Sequence, residues 1–195
     1  MKILEIKVVQ EADCAANVGI WNYWDPEHLG FVHAGYSPAP VLYETDKVCL
    51  ELNTVRLPIF SFIRSRSIHA ITRQDASTFV AYSTYFGIVS ITTYVITDTS
   101  PDRSRYDITY KFFLETWWQK FCAPLIKAAT LRWNERLWKE DLAVKLRRQK
   151  VLRYKFRDFV GLPEKIEDRN FAGEISLQLP VPRVPGNVAD DHPYR

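Results

Sequence analysis

The chain changes its pattern once, near residue 124, and this change constrains the fold more than any other feature. From Pro124 to Phe156 the sequence is rich in Leu, Ala, Lys, Arg, Glu and Trp, with no Gly or Pro after the first residue. This composition predicts one long helix, which Gly161-Leu162-Pro163 ends. The segments before it have the β-branched and aromatic character of strands.

The strand-like runs follow one another closely, which favours hairpins in an antiparallel meander over parallel βαβ units. Turns such as DTSPDRS (98–104) separate them. A short helix is predicted around residues 20–33, with Asp25 as its N-cap and Pro26 at its first position. The predicted strands cover residues 2–9, about 41–56, 59–72, 78–86, 88–98 and 104–115.

This element order predicts an α+β fold in which a twisted antiparallel sheet wraps around a long C-terminal helix, an arrangement called the helix-grip. We expect one domain over residues 1–160, because 195 residues that are 47% hydrophobic can bury one sizeable core. Residues 161–195 contain five prolines and few periodic apolar positions, so they are expected to form an extended tail.

Charge and cysteine content exclude several classes of partner and site. A formal net charge of +3 gives no field that would gather nucleic acid, and three widely spaced cysteines form no zinc or disulfide framework. Residues 76–97 carry no formal charge, but their hydroxylic and β-branched residues predict a hairpin rather than a membrane span. Without a recognisable export signal, a cytoplasmic protein is expected, with no membrane partner, and a homo-oligomer remains open.

Two of the four histidines lie within six residues, in the segment Asp25-Pro26-Glu27-His28-Leu29-Gly30-Phe31-Val32-His33. Two imidazoles can supply neutral nitrogen ligands to one first-row metal, and Asp25 could orient one of them. On a straight helix, positions five apart differ by roughly 140°, so both rings reach one ion only if the helix bends, for which Gly30 offers a place. The alternative is two ordinary polar residues at a helix rim.

Asp141 is a candidate third ligand because it lies on the apolar face of the predicted long helix. A helical wheel places it between Leu137 and Trp138, whereas Lys145 lies outside that face or at its edge. A carboxylate on a buried face requires a partner or a metal. Glu140, one position away, is the competing acid, and an ion pair of Asp141 with Arg64 or Arg66 is the structural alternative.

Two histidines and one carboxylate form the facial triad of mononuclear non-haem iron enzymes, although zinc accepts the same ligands. The Asp-x2-His-x4-His pattern at residues 25–33, with Asn22 upstream, resembles the iron-binding motif of the catalytic domain of Rieske-type ring-hydroxylating oxygenases. The resemblance implies that His28, His33 and Asp141 bind Fe(II) and that Asp25 and Asn22 have catalytic roles. It also implies the helix-grip fold and an apolar substrate cavity.

The chain departs from that family because it contains none of the Cys-x-His and Cys-x-x-His pairs of a Rieske iron–sulfur cluster. Electrons would therefore have to come from a partner protein. The leading prediction is an oxygenase-like protein acting on a small hydrophobic, aromatic or cyclic, substrate. The alternatives are a START-like carrier that binds an apolar ligand without a metal, and a cyclase or hydrolase that uses His and Asp as acid and base. His69 is predicted to be a packed residue rather than a fourth ligand.

Overall fold

The structure is a computed structural model that describes residues 1–24, 32–33, 40–56 and 64–153. In this part of the chain, seven strands form one antiparallel sheet in the order β1-β7-β6-β5-β4-β3-β2. The strands are β1 (Lys2–Ala12), β2 (Val41–Glu44), β3 (Val48–Arg56), β4 (Arg64–Arg73), β5 (Thr78–Tyr85), β6 (Ile88–Ser100) and β7 (Arg103–Leu114).

The uncharged stretch at 76–97 is the β5–β6 hairpin, as its composition predicts. Its turn is formed by Phe86 and Gly87, both with positive φ (51° and 75°). This left-handed backbone suits glycine, and two such residues in succession match the twist of a two-residue hairpin. The first and last strands along the chain pair at one side of the meander, where β1 lies against β7 over its whole length.

The helices are α1 (Ala16–Tyr23), α2 (Trp117–Phe121) and α3 (Ala123–Arg153). The 31 residues of α3 confirm the predicted long helix, whose predicted end beyond Arg153 lies outside the described residues. The short α2 was not predicted. It begins with a capping box, in which the Gln119 N–H donates to Thr116 Oγ1 and the Thr116 N–H donates to Gln119 Oε1.

Helix α1 begins at Ala16 and ends at Tyr23, so it overlaps only the first residues of the segment 20–33, and the predicted N-cap Asp25 and first helical residue Pro26 lie outside the described residues. Its N-cap residue, Ala15, has no side chain that can cap. Asp98 of β6 supplies the missing acceptor, since its Oδ1 lies 2.6 Å from the Ala16 nitrogen. The Ala15 N–H donates to Gln149 Oε1 of α3 at 3.1 Å. Tertiary contacts therefore fix α1 between sheet and long helix.

Two clusters of buried side chains form the core. One joins α1 to β6 and β7 around the fully buried Tyr106, and the other packs Trp21 and Trp24 on β3, β4 and β5 through Phe79. Trp117 and Trp118, by contrast, are exposed on α2. Among the described helices, none combines the length and the apolar character needed to cross a bilayer.

Candidate functional site

A cavity of about 90 Å³ lies between the sheet, α1 and α3. Apolar and aromatic walls enclose it, and side-chain nitrogens and oxygens from several elements reach into it, which is the usual composition of a small-molecule site. Burial raises the pKa values of the lining tyrosines, Tyr23, Tyr94 and Tyr110, so their hydroxyls are neutral. The lining residues are Gln10, Asn22, Tyr23, His33, His69, Ile71, Ala81, Tyr94, Tyr110, Asn134, Leu137, Trp138 and Asp141.

His33 lies at the centre of the polar contacts on the helix side of the cavity. Its ring is 2% exposed and has a carboxylate at each nitrogen. Nδ1 lies 2.6 Å from Glu140 Oε2, and Nε2 lies 3.0 Å from Asp141 Oδ1. Burial lowers the pKa of His33, but the hydrogen bonds and negative charges of Asp141 and Glu140 outweigh it, so the pKa is raised above its usual value.

Asp141 is buried on α3, as the helical wheel predicts, and two groups that lie beside it are His33 and Lys145. Its second oxygen, Oδ2, lies 3.8 Å from Lys145 Nζ, one helical turn further on. Lys145 is fully buried, so the sequence-based placement outside the apolar face or at its edge was wrong. Its ammonium group lies over the rings of Trp138 and Tyr106, with Nζ 4.3 Å and 4.7 Å from the centroids. Burial lowers the pKa of Lys145 to about 8, although the charge of Asp141 raises it.

The His33–Asp141 pair has the spacing of two ligands of one ion. Two ligand atoms about 2.1 Å from a first-row metal, at a right angle, are about 3.0 Å apart, which is the separation of His33 Nε2 from Asp141 Oδ1. Glu140 lies at Nδ1 of His33, so Nε2 is the ring nitrogen that would bind a metal, in exchange for the proton it shares with Asp141. Glu140, the competing ligand candidate from the sequence, thus lies at Nδ1 of His33, whereas Asp141 lies at Nε2.

The third predicted ligand, His28, and the predicted relay, Asp25, lie outside the described residues. Among the residues that are described, no three His, Cys, Asp or Glu side chains form a metal-binding group. The two carboxylates of His33 lie at opposite ring nitrogens and so do not converge. Among the described residues, His33 and Asp141 are therefore the two that are placed to bind one metal ion.

Asn22, the other predicted catalytic residue, lies on the last turn of α1 and lines the cavity. Its side chain is 2% exposed, and within the described part of the chain Nδ2 has no hydrogen-bond partner. Across the cavity, the Tyr110 hydroxyl donates to Asn134 Oδ1 at 2.7 Å, which orients the amide nitrogen of Asn134 away from that bond. The cavity therefore offers amide donors besides the His33–Asp141 pair.

His69 was expected only to pack, but it lines the same cavity from β4. Its Nδ1 lies 2.5 Å from Oε1 of Glu51, the directly opposite residue on β3. Glu51 is fully buried. The sequence did contain a signal, because Glu51 is an acid in the interior of a predicted strand. The residue pattern alone does not indicate which histidine would pair with it.

Comparison with known proteins identifies the fold. No protein-family model and no curated protein sequence matches the chain. Solved structures do match: the Zhui aromatase/cyclase from Streptomyces sp. R1128 has a TM-score of 0.62 at 9% identity, covering 80% of this chain and 99% of that one. The fold is the helix-grip fold.

Two further solved structures have the same fold. A START superfamily protein from Mycobacterium smegmatis has a TM-score of 0.59 at 12% identity, covering 76% of this chain and 98% of that chain. Dicamba monooxygenase, solved with dicamba bound, has a TM-score of 0.61 at 14% identity, covering 83% of this chain and 53% of that chain. At these identities the similarity is one of fold.

Proposed function

We propose that this helix-grip protein is a mononuclear non-haem iron enzyme that acts on a small hydrophobic ring in its cavity. The observation that carries the proposal is the 3.0 Å approach of His33 Nε2 to Asp141 Oδ1 at the cavity wall, with Glu140 on the opposite nitrogen of the ring. His33, Asp141 and the predicted His28 would hold the metal. Fe(II) bound there would supply dioxygen activation, and a partner protein would supply electrons.

The chain's own residues have distinct roles in this proposal. Glu140 orients the His33 ring by accepting its Nδ1–H, and Arg136 lies 3.7 Å from the other oxygen of Glu140. Lys145 places its ammonium group 3.8 Å from Asp141 Oδ2, the oxygen that faces away from His33. The aromatic wall formed by Trp138 and its neighbours excludes water and contacts the apolar part of the substrate.

A metal-free function is the second candidate, and one observation favours it. Glu140 and Asp141 already face a histidine whose pKa is raised and a buried lysine, so the charges can balance without an ion. In that case the cavity would bind an apolar ligand as a START-like carrier. Such a protein would keep its ligand in the presence of a chelator.

Anaerobic titration with Fe(II), followed by calorimetry, separates the two functions. The proposed enzyme binds one equivalent, and His33→Ala and Asp141→Ala each weaken binding by at least about tenfold, since each removes a ligand. Asp107→Ala is a matched control, because this carboxylate is exposed and pairs with Arg105. Equal Fe(II) affinity in all four proteins, or none in the wild type, would refute the metal site.

A further inference from the structure

A second polar group faces the cavity from the sheet, on the opposite side from the metal-site residues. It consists of His69 on β4 and its cross-strand neighbour Glu51 on β3. Glu51 is fully buried, whereas the His69 side chain keeps 13% exposure and lines the cavity. Since a buried carboxylate is costly without a partner, this pair holds the histidine ring in one orientation.

The orientation determines which atom His69 offers to a ligand. Glu51 Oε1 lies 2.5 Å from His69 Nδ1, so Nε2 is the ring nitrogen left for a ligand. In the tautomer that donates its Nδ1–H to Glu51, Nε2 carries a lone pair that accepts a hydrogen bond from a hydroxyl. The contact parallels that of His33 with Glu140, so two carboxylate-oriented imidazoles line one cavity.

Polar atoms around this group lack partners within the described part of the chain. Glu51 Oε2 is one, and the next cross-strand pair on the same face, Asn53 and Ser67, contributes three more. Because native interiors satisfy nearly all buried polar groups, a cluster of this kind marks a place where water or a polar ligand atom binds.

We infer that the Glu51–His69 pair binds the hydroxyl group of a ring substrate, which makes hydroxylated aromatic rings the substrate class of this cavity. The inference rests on the proposed function, since it assigns the polar end of the same apolar ligand. His69 Nε2 accepts the hydroxyl hydrogen, and Trp138 and Leu137 contact the ring. The volume of about 90 Å³ limits a suitable probe to a single ring.

Calorimetric titration with phenol and with benzene tests the inference, because the two rings differ only in the hydroxyl. The wild type should bind phenol about tenfold more tightly than benzene, the effect of one hydrogen bond to a charge-oriented group. The variant Glu51→Leu/His69→Leu should lose this preference and keep its affinity for benzene. Replacing both partners avoids leaving one buried charge unpaired.

Glu51→Gln is the conservative variant, and it should reduce the preference for phenol without abolishing benzene binding. Ile68→Ala is the matched control, since this neighbour of His69 is 60% exposed. An unchanged phenol preference in the Glu51→Leu/His69→Leu variant, or no preference in the wild type, would overturn the Glu51–His69 assignment alone. If neither ring binds, the apolar-ligand function fails as well.

Discussion

Replacing Gly19 by alanine should destabilise the protein through a steric clash at the point where α1 packs on the sheet. A Cβ atom at Gly19 would lie 2.1 Å from Tyr106 Oη and 2.7 Å from Cζ, far inside van der Waals contact. Tyr106 is fully buried and in contact with Trp138, with ring centroids 4.8 Å apart, so it cannot withdraw. Overpacking of this severity lowers the free energy of unfolding by about 3 kcal/mol. The higher helix propensity of alanine relative to glycine offsets about 1 kcal/mol of this loss.

The net loss of about 2 kcal/mol should lower the melting temperature by about 4 to 8 °C for a chain of this size. Chemical denaturation and calorimetry of Gly19→Ala measure both quantities. Asn17→Ala, at an exposed position on the same helix, is the control and should change stability by less than about 0.5 kcal/mol. A Gly19→Ala protein as stable as this control would refute the packing of α1 on Tyr106.

Two further predictions concern the residues around Asp141. In Glu140→Gln, Fe(II) binding should weaken by about 10- to 100-fold, because the orienting carboxylate of His33 is lost; anaerobic titration measures this, and an unchanged affinity would contradict the role of Glu140. For Lys145, a folded pKa of about 8 lies below the usual 10.5, so the unfolded chain binds more protons between these values and stability rises with pH. In chelator, the wild type should gain about 2 kcal/mol relative to Lys145→Met between about pH 7 and about pH 9.5; parallel stability curves would show that Lys145 is not desolvated.

The fold was predictable where the local sequence of an element indicates its secondary structure. The β5–β6 hairpin alternates around a Phe-Gly turn, and α3 is a long run without Gly or Pro. The start of α1 was not predictable, because its N-terminus is capped by Asp98, a residue more than eighty positions away. No local pattern reports a cap that only the folded sheet provides.

The lining of the cavity was predictable in part for a related reason. Two of its residues, His33 and Asp141, drew attention in the sequence because one belongs to a motif and the other is an acid among apolar residues. The buried stripe of α3 is largely polar, however, with Thr130, Asn134, Asp141 and Lys145 on it. Hydrophobic periodicity therefore missed Lys145, although its i,i+4 spacing from an inward acid was a usable signal.

The most direct test of the proposed metal site is a crystal structure of the protein after anaerobic Fe(II) loading, with anomalous data collected at the iron edge. The proposal predicts one anomalous peak at the cavity wall, about 2.0 to 2.2 Å from both His33 Nε2 and Asp141 Oδ1. An iron-loaded crystal without such a peak, in which His33 Nε2 and Asp141 Oδ1 contact each other directly, would contradict it.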